Sequence, residues 1–322
     1  MTTKKRIYAV SILVVLIIAA VVFAISPYGF KKNEELMRVS MIVYGNDASR
    51  WEKLRQGAEL AFSRRNVDIT LVTTASEVNA DEQMELISRE LEDDVDAIMI
   101  VPCDSNRLEQ YMAERKPRVP VVVIESGTVE GSKLDSVSVD DYEVGKALGQ
   151  ELIKRENPIV TVAIISDGTE KESVRLREQG LREVIEPYAN RIITWSRNDN
   201  EKDMIKRKFL QRAILERAVD VVVALDNESA DSLMDALDNL NKQRKVYAVS
   251  TSDKSVYYLD RQKIKALVYP TEFGMGYMGA QYVLDSKKAA VEYRDTDVQY
   301  CVISKENMYD KDVQKLIFPM DK

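Results

Sequence analysis

The sequence contains no histidine. That absence excludes Ser-His-Asp and Cys-His nucleophilic catalysis and removes the commonest metal ligand. Cysteine is scarce: Cys103 and Cys301 are the only two. They are too few for a disulfide scaffold and lack metal-ligand spacing, so the one open question is whether they bridge each other. The chain shows no Gly-rich phosphate loop, no nucleophile set beside a base and no group of metal ligands, so neither an enzyme, a metal centre nor an organic cofactor is expected. Positive charge is also short. Lys and Arg total 46 against 53 Asp and Glu, a formal charge of −7. Without a basic stripe the chain is not expected to bind nucleic acid, whose affinity comes largely from phosphate neutralisation.

What is present is 322 residues, 45% hydrophobic and 31% charged, enough for two compact lobes of ordinary globular composition. The one long apolar run is Ile7–Ile25, interrupted only by Tyr8 and Ser11. Its length suits a single bilayer-spanning helix. Lys4, Lys5 and Arg6 precede it and favour a cytoplasmic N-terminus with everything after the run exported. A cleavable signal peptide is the competing reading. Pro27 lies beside the only cleavage-like site, Ala24-Ile25-Ser26, which favours a retained anchor. The expected order is a cytoplasmic segment at 1–6, a transmembrane anchor at 7–25 and a polar tether at 26–38, on the outer side of a bacterial cell membrane.

From Val39 onward, strand and helix patterns alternate. Compact β-branched runs at Val39–Tyr44, Ile69–Thr73, Ala97–Val101 and Val119–Ile124 read as strands. Helical spacing of apolar residues marks Arg50–Arg64, Ala80–Leu91 and Leu108–Glu114. The pattern restarts with strands at Val160–Ile165, Ile192–Trp195, Asp220–Leu225, Val246–Ser250, Lys265–Tyr269 and Val298–Ile303. The helices between them fall at Glu172–Ile185, Lys202–Glu216, Ser229–Leu240, Ser255–Arg261 and Gly274–Leu284. Two successive βα runs predict an α/β protein with two Rossmann-like lobes, each a parallel sheet flanked by helices. Ligands of such sheets bind at the carboxyl ends of the strands, and two lobes can face each other across a cleft.

Local phrases sharpen this reading. Val43-Tyr44-Gly45-Asn46-Asp47 is followed by Arg50-Trp51 and Gln56-Gly57-Ala58. Further along stand Asp96–Pro102, Val119–Val122, Val137–Asp141 with Gly145, Arg175–Gly180, and Val221–Leu225 followed by Asp226-Asn227-Glu228. In order and spacing these resemble the type I periplasmic binding proteins of the ribose, xylose and galactose group, whose core the lactose-repressor-type ligand domains share. The resemblance implies three crossings between lobes, near Val139–Asp140, Pro270–Thr271 and Gln299–Tyr300. The N-terminal lobe is then 39–139 plus 271–299, and the C-terminal lobe is 140–270 plus 300–322. A repressor carries a helix-turn-helix where this chain has its apolar run, so a regulator is not expected.

Sugars are held by aromatic faces and by carboxylates, amides and Arg forks. By resemblance Arg50 and Trp51 reach the ligand, with the core of the first helix as the alternative for Trp51 and a solvated helix start as the alternative for Arg50. Asp47 suits a helix cap as well as a ligand contact. Glu125 and Ser126 stand where ribose- and xylose-type relatives carry an Asp-Arg pair, so an acceptor is kept and an Arg fork is lost. Arg177 falls where the family has a ligand-binding Arg, with a surface ion pair as the alternative. Asn198, Asp226, Asn227 and Thr251 complete the candidate set. Asp226 replaces a usual Asn, Thr251 a common Asp, and Pro270 a hinge Gln or Lys. The function implied is capture of a small polar molecule, a carbohydrate, between closing lobes. The partner is either an ABC permease or a membrane sensor histidine kinase, and the anchor with its short tether suits the fixed partner.

Overall fold

The structure, a computed structural model, describes residues 12–17, 35–76, 79–156, 161–166, 171–197, 205–286 and 298–319. It comprises two units, residues 1–37 and 38–322. In the first, residues 12–17 are helical. The remainder of the expected anchor at 7–25 lies outside the described residues, and among the described residues no helix is long and apolar enough to cross a membrane.

The second unit carries two α/β lobes. The first is built on β1 (Met37–Val43), β2 (Val67–Thr73), β3 (Ala97–Ile100), β4 (Val121–Ile124) and β5 (Asp135–Val137), in the order β2-β1-β3-β4-β5. Strands β1 and β3, β3 and β4, and β4 and β5 pair in parallel, with Met41 opposite Met99 and Ile98 opposite Val121. Helices α1 (Glu52–Phe62), α2 (Ala80–Glu92) and α3 (Ser105–Arg115) connect these strands. All four residues of β3 and of β4 are buried. Both faces of the central strands are covered, which is why these strands read as unbroken apolar runs.

The second lobe has the strand order β11-β10-β9-β8-β6-β7. Its strands are β6 (Thr161–Ile165), β7 (Arg191–Trp195), β8 (Val221–Ala224), β9 (Lys245–Val249), β10 (Ile264–Pro270) and β11 (Tyr300–Ser304). Around them lie α4 (Asp141–Arg155), α5 (Glu172–Ile185), α6 (Lys206–Glu216), α7 (Asn227–Asn239), α8 (Asp253–Asp260) and α10 (Lys311–Ile317). Helix α9 (Glu272–Ser286) returns to the first lobe, where it packs on α1, β3, β4 and β5. Cys103 and Cys301 are both free thiols.

The expectation of two wholly parallel sheets needs one correction. Strand β11 runs antiparallel to β10, with Pro270 opposite Tyr300 and Tyr269 opposite Cys301. The cause is the path of the chain. It leaves the second sheet at the carboxyl end of β10, passes through α9 in the first lobe, and re-enters beside the point of exit. The Thr271 N–H and hydroxyl both donate to the Gln299 carbonyl, at 3.1 and 2.8 Å, and tie the two passing segments together.

Three elements, β5, α4 and α10, were not expected from the pattern. Helix α4 is capped by Asp140, which accepts from the Glu143 N–H at 3.0 Å, and buries Val144, Leu148 and Leu152 at four-residue spacing. Gly145 and Gly149 lower its helix propensity but permit its packing. A β-carbon on Gly145 would lie 2.1 Å from the Arg177 carbonyl oxygen, and one on Gly180 of α5 would lie 2.0 Å from the Tyr142 oxygen. The first lobe repeats the device: β-carbons on Gly57 of α1 and Gly276 of α9 would meet the backbone oxygens of Phe273 and Leu54 at 2.0 and 1.9 Å. Because the obstacle is backbone, Gly276→Ala is expected to cost about 1–3 kcal/mol by forcing α1 and α9 apart. Chemical denaturation measures this, and an unchanged midpoint would show that the helices separate freely.

Candidate functional site

The carboxyl ends of both sheets meet at one cleft. Glu125 follows β4 directly and is held at φ +68°, a left-handed backbone that strains a non-glycine residue. Arg50 comes from the short 3-10 turn Ala48–Trp51. Its guanidinium donates to Glu272 at 2.6 Å and to Glu125 at 3.2 Å and lies 4.2 Å over the Trp51 ring. One guanidinium thus serves two carboxylates, and two polar atoms of this group are left over. Arg50 Nε and Glu125 Oε2 are buried and have no hydrogen-bond partner. Burial pushes the Glu125 carboxyl above its usual range, Arg50 opposes this, and the charge of Glu272 adds to the rise.

The second lobe contributes a matching set. Asp226 caps α7 by accepting from the Ser229 N–H at 2.8 Å and accepts from the Lys171 ammonium at 3.2 Å. That ammonium also donates to Glu228 at 3.0 Å and to the Tyr44 hydroxyl of the first lobe at 3.0 Å. Burial alone would raise the Asp226 carboxyl, but the charges of Lys171 and Lys206 and the hydrogen bonds from Ser229 together more than reverse this and hold it well below the ordinary range. Tyr44 moves up, first through burial and then through the charge of Glu228. Arg177 donates to Asp141 at 2.7 Å and to the Leu225 carbonyl at 3.0 Å.

Direct contacts close the cleft. Asn227 Nδ2 donates to Thr251 Oγ1 at 3.0 Å, and the Thr251 hydroxyl donates across the lobes to Glu272. Helix α5 has no side-chain cap of its own. The first lobe supplies caps instead: Ser105 Oγ accepts from the Glu172 N–H at 3.0 Å, and Ser126 Oγ from the Ser173 N–H at 3.2 Å. Lys53 reaches across to Asp253 at 2.8 Å. A cavity of about 10 Å³ remains between Glu125, Arg177, Asn227, Thr251, Pro270 and Glu272, at the limit for one water. A far larger depression, about 610 Å³, lies at the opposite ends of β8, β9 and β10 among Lys242, Arg244, Lys245 and Lys263. It is remote from these residues, so chemistry and not volume locates the site.

Arg50, Glu125, Ser126, Arg177, Asp226, Asn227 and Thr251 therefore converge on the cleft. Trp51 sits beneath Arg50 at 1% exposure, edge-on to Tyr44 with ring centroids 4.9 Å apart, its Nε1–H donating to the Tyr44 carbonyl at 3.0 Å. Asp47 is exposed at the cleft mouth and accepts from the Ser49 N–H at 3.0 Å, which makes it the cap of the 3-10 turn. Asn198 lies outside the described residues. Tyr44, Asp141, Lys171, Glu228 and Glu272 were not among the candidates. Glu228 and Glu272 follow a strand end and a crossing, signals that were available. Lys171 stands in the charged run Thr169-Glu170-Lys171-Glu172 and looks like any solvated lysine.

Comparison with known proteins agrees with this fold. The periplasmic binding protein domain matches residues 39–289. No curated protein sequence matches significantly. Among solved structures, a carbohydrate transporter solute-binding protein from Agrobacterium radiobacter, in complex with D-arabinose, is 20% identical with a TM-score of 0.77, covering 88% of this chain and 99% of that one. GanP, a glucose-galactose binding protein from Geobacillus stearothermophilus, is 19% identical with a TM-score of 0.74, covering 85% and 99%. A chain of the XylFII-LytSN complex is 17% identical with a TM-score of 0.71, covering 84% and 98%. At these identities the likeness is one of fold.

Proposed function

The chain belongs to the periplasmic binding protein family, and on that footing we propose that it is an extracytoplasmic receptor that captures a carbohydrate between its two lobes for an ABC-type importer. The observation that carries this reading is the unpaired, buried Arg50 Nε and Glu125 Oε2 in a cleft furnished by both lobes. A donor and an acceptor left without partners are costly, and a sugar hydroxyl can satisfy either one. The lobes divide at 39–139 plus 271–299 and 140–270 plus 300–322, the three crossings forming the hinge. Arg50, Glu125, Arg177, Asp226, Asn227 and Thr251 make the contacts, and closure is favoured because only the closed form offers groups from both sides. Ile7–Ile25 anchors the protein in the membrane with the lobes outside the cytoplasm.

Calorimetric titration with D-arabinose, D-fucose, D-allose and myo-inositol tests this reading. At least one is expected to bind, and Arg50→Ala is expected to weaken that binding by about 2–4 kcal/mol, since it removes a charged donor and leaves Glu125 and Glu272 without their shared counter-charge. Absence of binding by these and by every other sugar tried would overturn the carbohydrate assignment. The XylFII-LytSN complex supports a second reading, in which the closed lobes are presented to a membrane sensor histidine kinase; a fixed anchor with a short tether suits that role.

A further inference from the structure

We propose that the captured carbohydrate carries an ammonium group, and that this group docks against Glu125 and Glu272 when the lobes part to admit it. The inference rests on the carbohydrate reading above and names its ligand class. The first ground is charge. Among the described residues of the cleft the cations are Arg50, Lys171, Arg177 and, at its edge, Lys53, and each is already engaged: Arg50 with Glu125 and Glu272, Lys171 with Asp226 and Glu228, Arg177 with Asp141, Lys53 with Asp253. Six carboxylates thus face four cations. Lys206 also acts on Asp226, but the mouth is acidic in turn. A recess of about 180 Å³ there is lined by Asp47, Arg50, Glu228, Asp231 and Asp235. Surplus negative charge in a poorly solvated site is stabilised by an incoming cation and opposes an anion.

The second ground is the free acceptor. Glu125 Oε2 is buried and unpartnered, and Glu125 and Glu272 line the same cavity. An ammonium docked against them would satisfy the orphan oxygen through a charge-assisted hydrogen bond, where a hydroxyl would supply only a neutral donor. The third ground is an ammonium already held in the same cleft. Lys171 Nζ lies 4.6 Å from the centre of the Tyr44 ring while donating to Asp226 and Glu228 at 3.2 and 3.0 Å. This cleft is built to hold such a group, and one of its two carboxylate pairs has an acceptor to spare. A phosphorylated or carboxylated sugar finds no unpaired cation among the described cleft residues.

The test uses the full-length chain in detergent, with D-glucosamine, D-galactosamine and D-mannosamine as probes beside D-glucose, D-galactose and D-mannose. Titration is carried out below the pKa of the amines. At least one aminated sugar is expected to bind about tenfold or more tightly than its neutral parent. Glu125→Gln is expected to close most of that gap. Should the variant fail to fold, the wild-type titration repeated above the amine pKa serves instead, and the preference must vanish there. Neutral parents binding as tightly as the amines would overturn the ammonium assignment and leave the carbohydrate reading standing. A gap that persists in a folded Glu125→Gln variant would overturn the docking position. Failure of both classes of sugar to bind would overturn the carbohydrate reading and this inference with it.

Discussion

Replacing Trp51 with alanine is expected to lower the unfolding free energy by about 3–5 kcal/mol, the range for removing a large aromatic from a core. The indole is 1% exposed, donates to the Tyr44 carbonyl at 3.0 Å and packs edge-on against the Tyr44 ring. Arg50 lies 4.2 Å over its face. Its removal therefore opens a cavity beneath the guanidinium that bridges Glu125 and Glu272, and ligand affinity should fall together with stability. Urea denaturation followed by far-UV circular dichroism measures the change. A loss below about 1 kcal/mol, outside the range for a packed core aromatic, would mean that the indole is not a structural support. Had Trp51 been only a stacking platform, binding would fall while stability held.

Lys171→Met is expected to destabilise the protein by about 3 kcal/mol or more at neutral pH, because breaking a buried ion pair leaves uncompensated charge. Its ammonium is the counter-charge for buried Asp226 and for Glu228, and it also joins the lobes through the Tyr44 hydroxyl. The pH dependence has a definite sign. In the wild type, Asp226 is held well below the usual range. Its contribution is complete above the unfolded carboxyl pKa, about 4, and is lost as pH falls through the lower folded value. Without Lys171 the largest influence opposing burial is gone, and the folded pKa rises above its wild-type value. The cost in the variant is then largest at neutral pH and is relieved as pH falls through the raised value. Denaturation of both proteins at neutral and at mildly acidic pH should show the deficit narrowing on acidification. A deficit that is constant with pH would place the effect in packing and not in charge.

Much of the fold was legible because the central strands carry their burial in composition. Val221–Ala224 and Val121–Ile124 are apolar throughout and buried throughout, and helix α5 has the expected bounds, Glu172–Ile185. Helix α4 was hidden because Gly145 and Gly149 weaken its helical signal, and their purpose appears only when α5 is seen against them. The direction of β11 was equally hidden, since the direction of a strand follows from where the chain enters the sheet. Asp226 and Thr251 were placed at strand ends by local pattern, whereas nothing local distinguished Lys171 from a surface lysine.

The sequence by itself determined the class of architecture, two βα runs of buried strands, and excluded histidine-dependent catalysis. Those properties depend on periodicity and on residue supply, which are local. Only the tertiary structure decided how the charges pair: Arg50 with Glu125 and Glu272, and Lys171 with Asp226, Glu228 and Tyr44. It also decided that Ser105 and Ser126 cap a helix of the opposite lobe. Partners such as Arg50 and Glu272, 222 positions apart, meet because two separate sheets bring their carboxyl ends together. Which of two like charges ends up buried depends on that approach and not on the residues beside it in the chain.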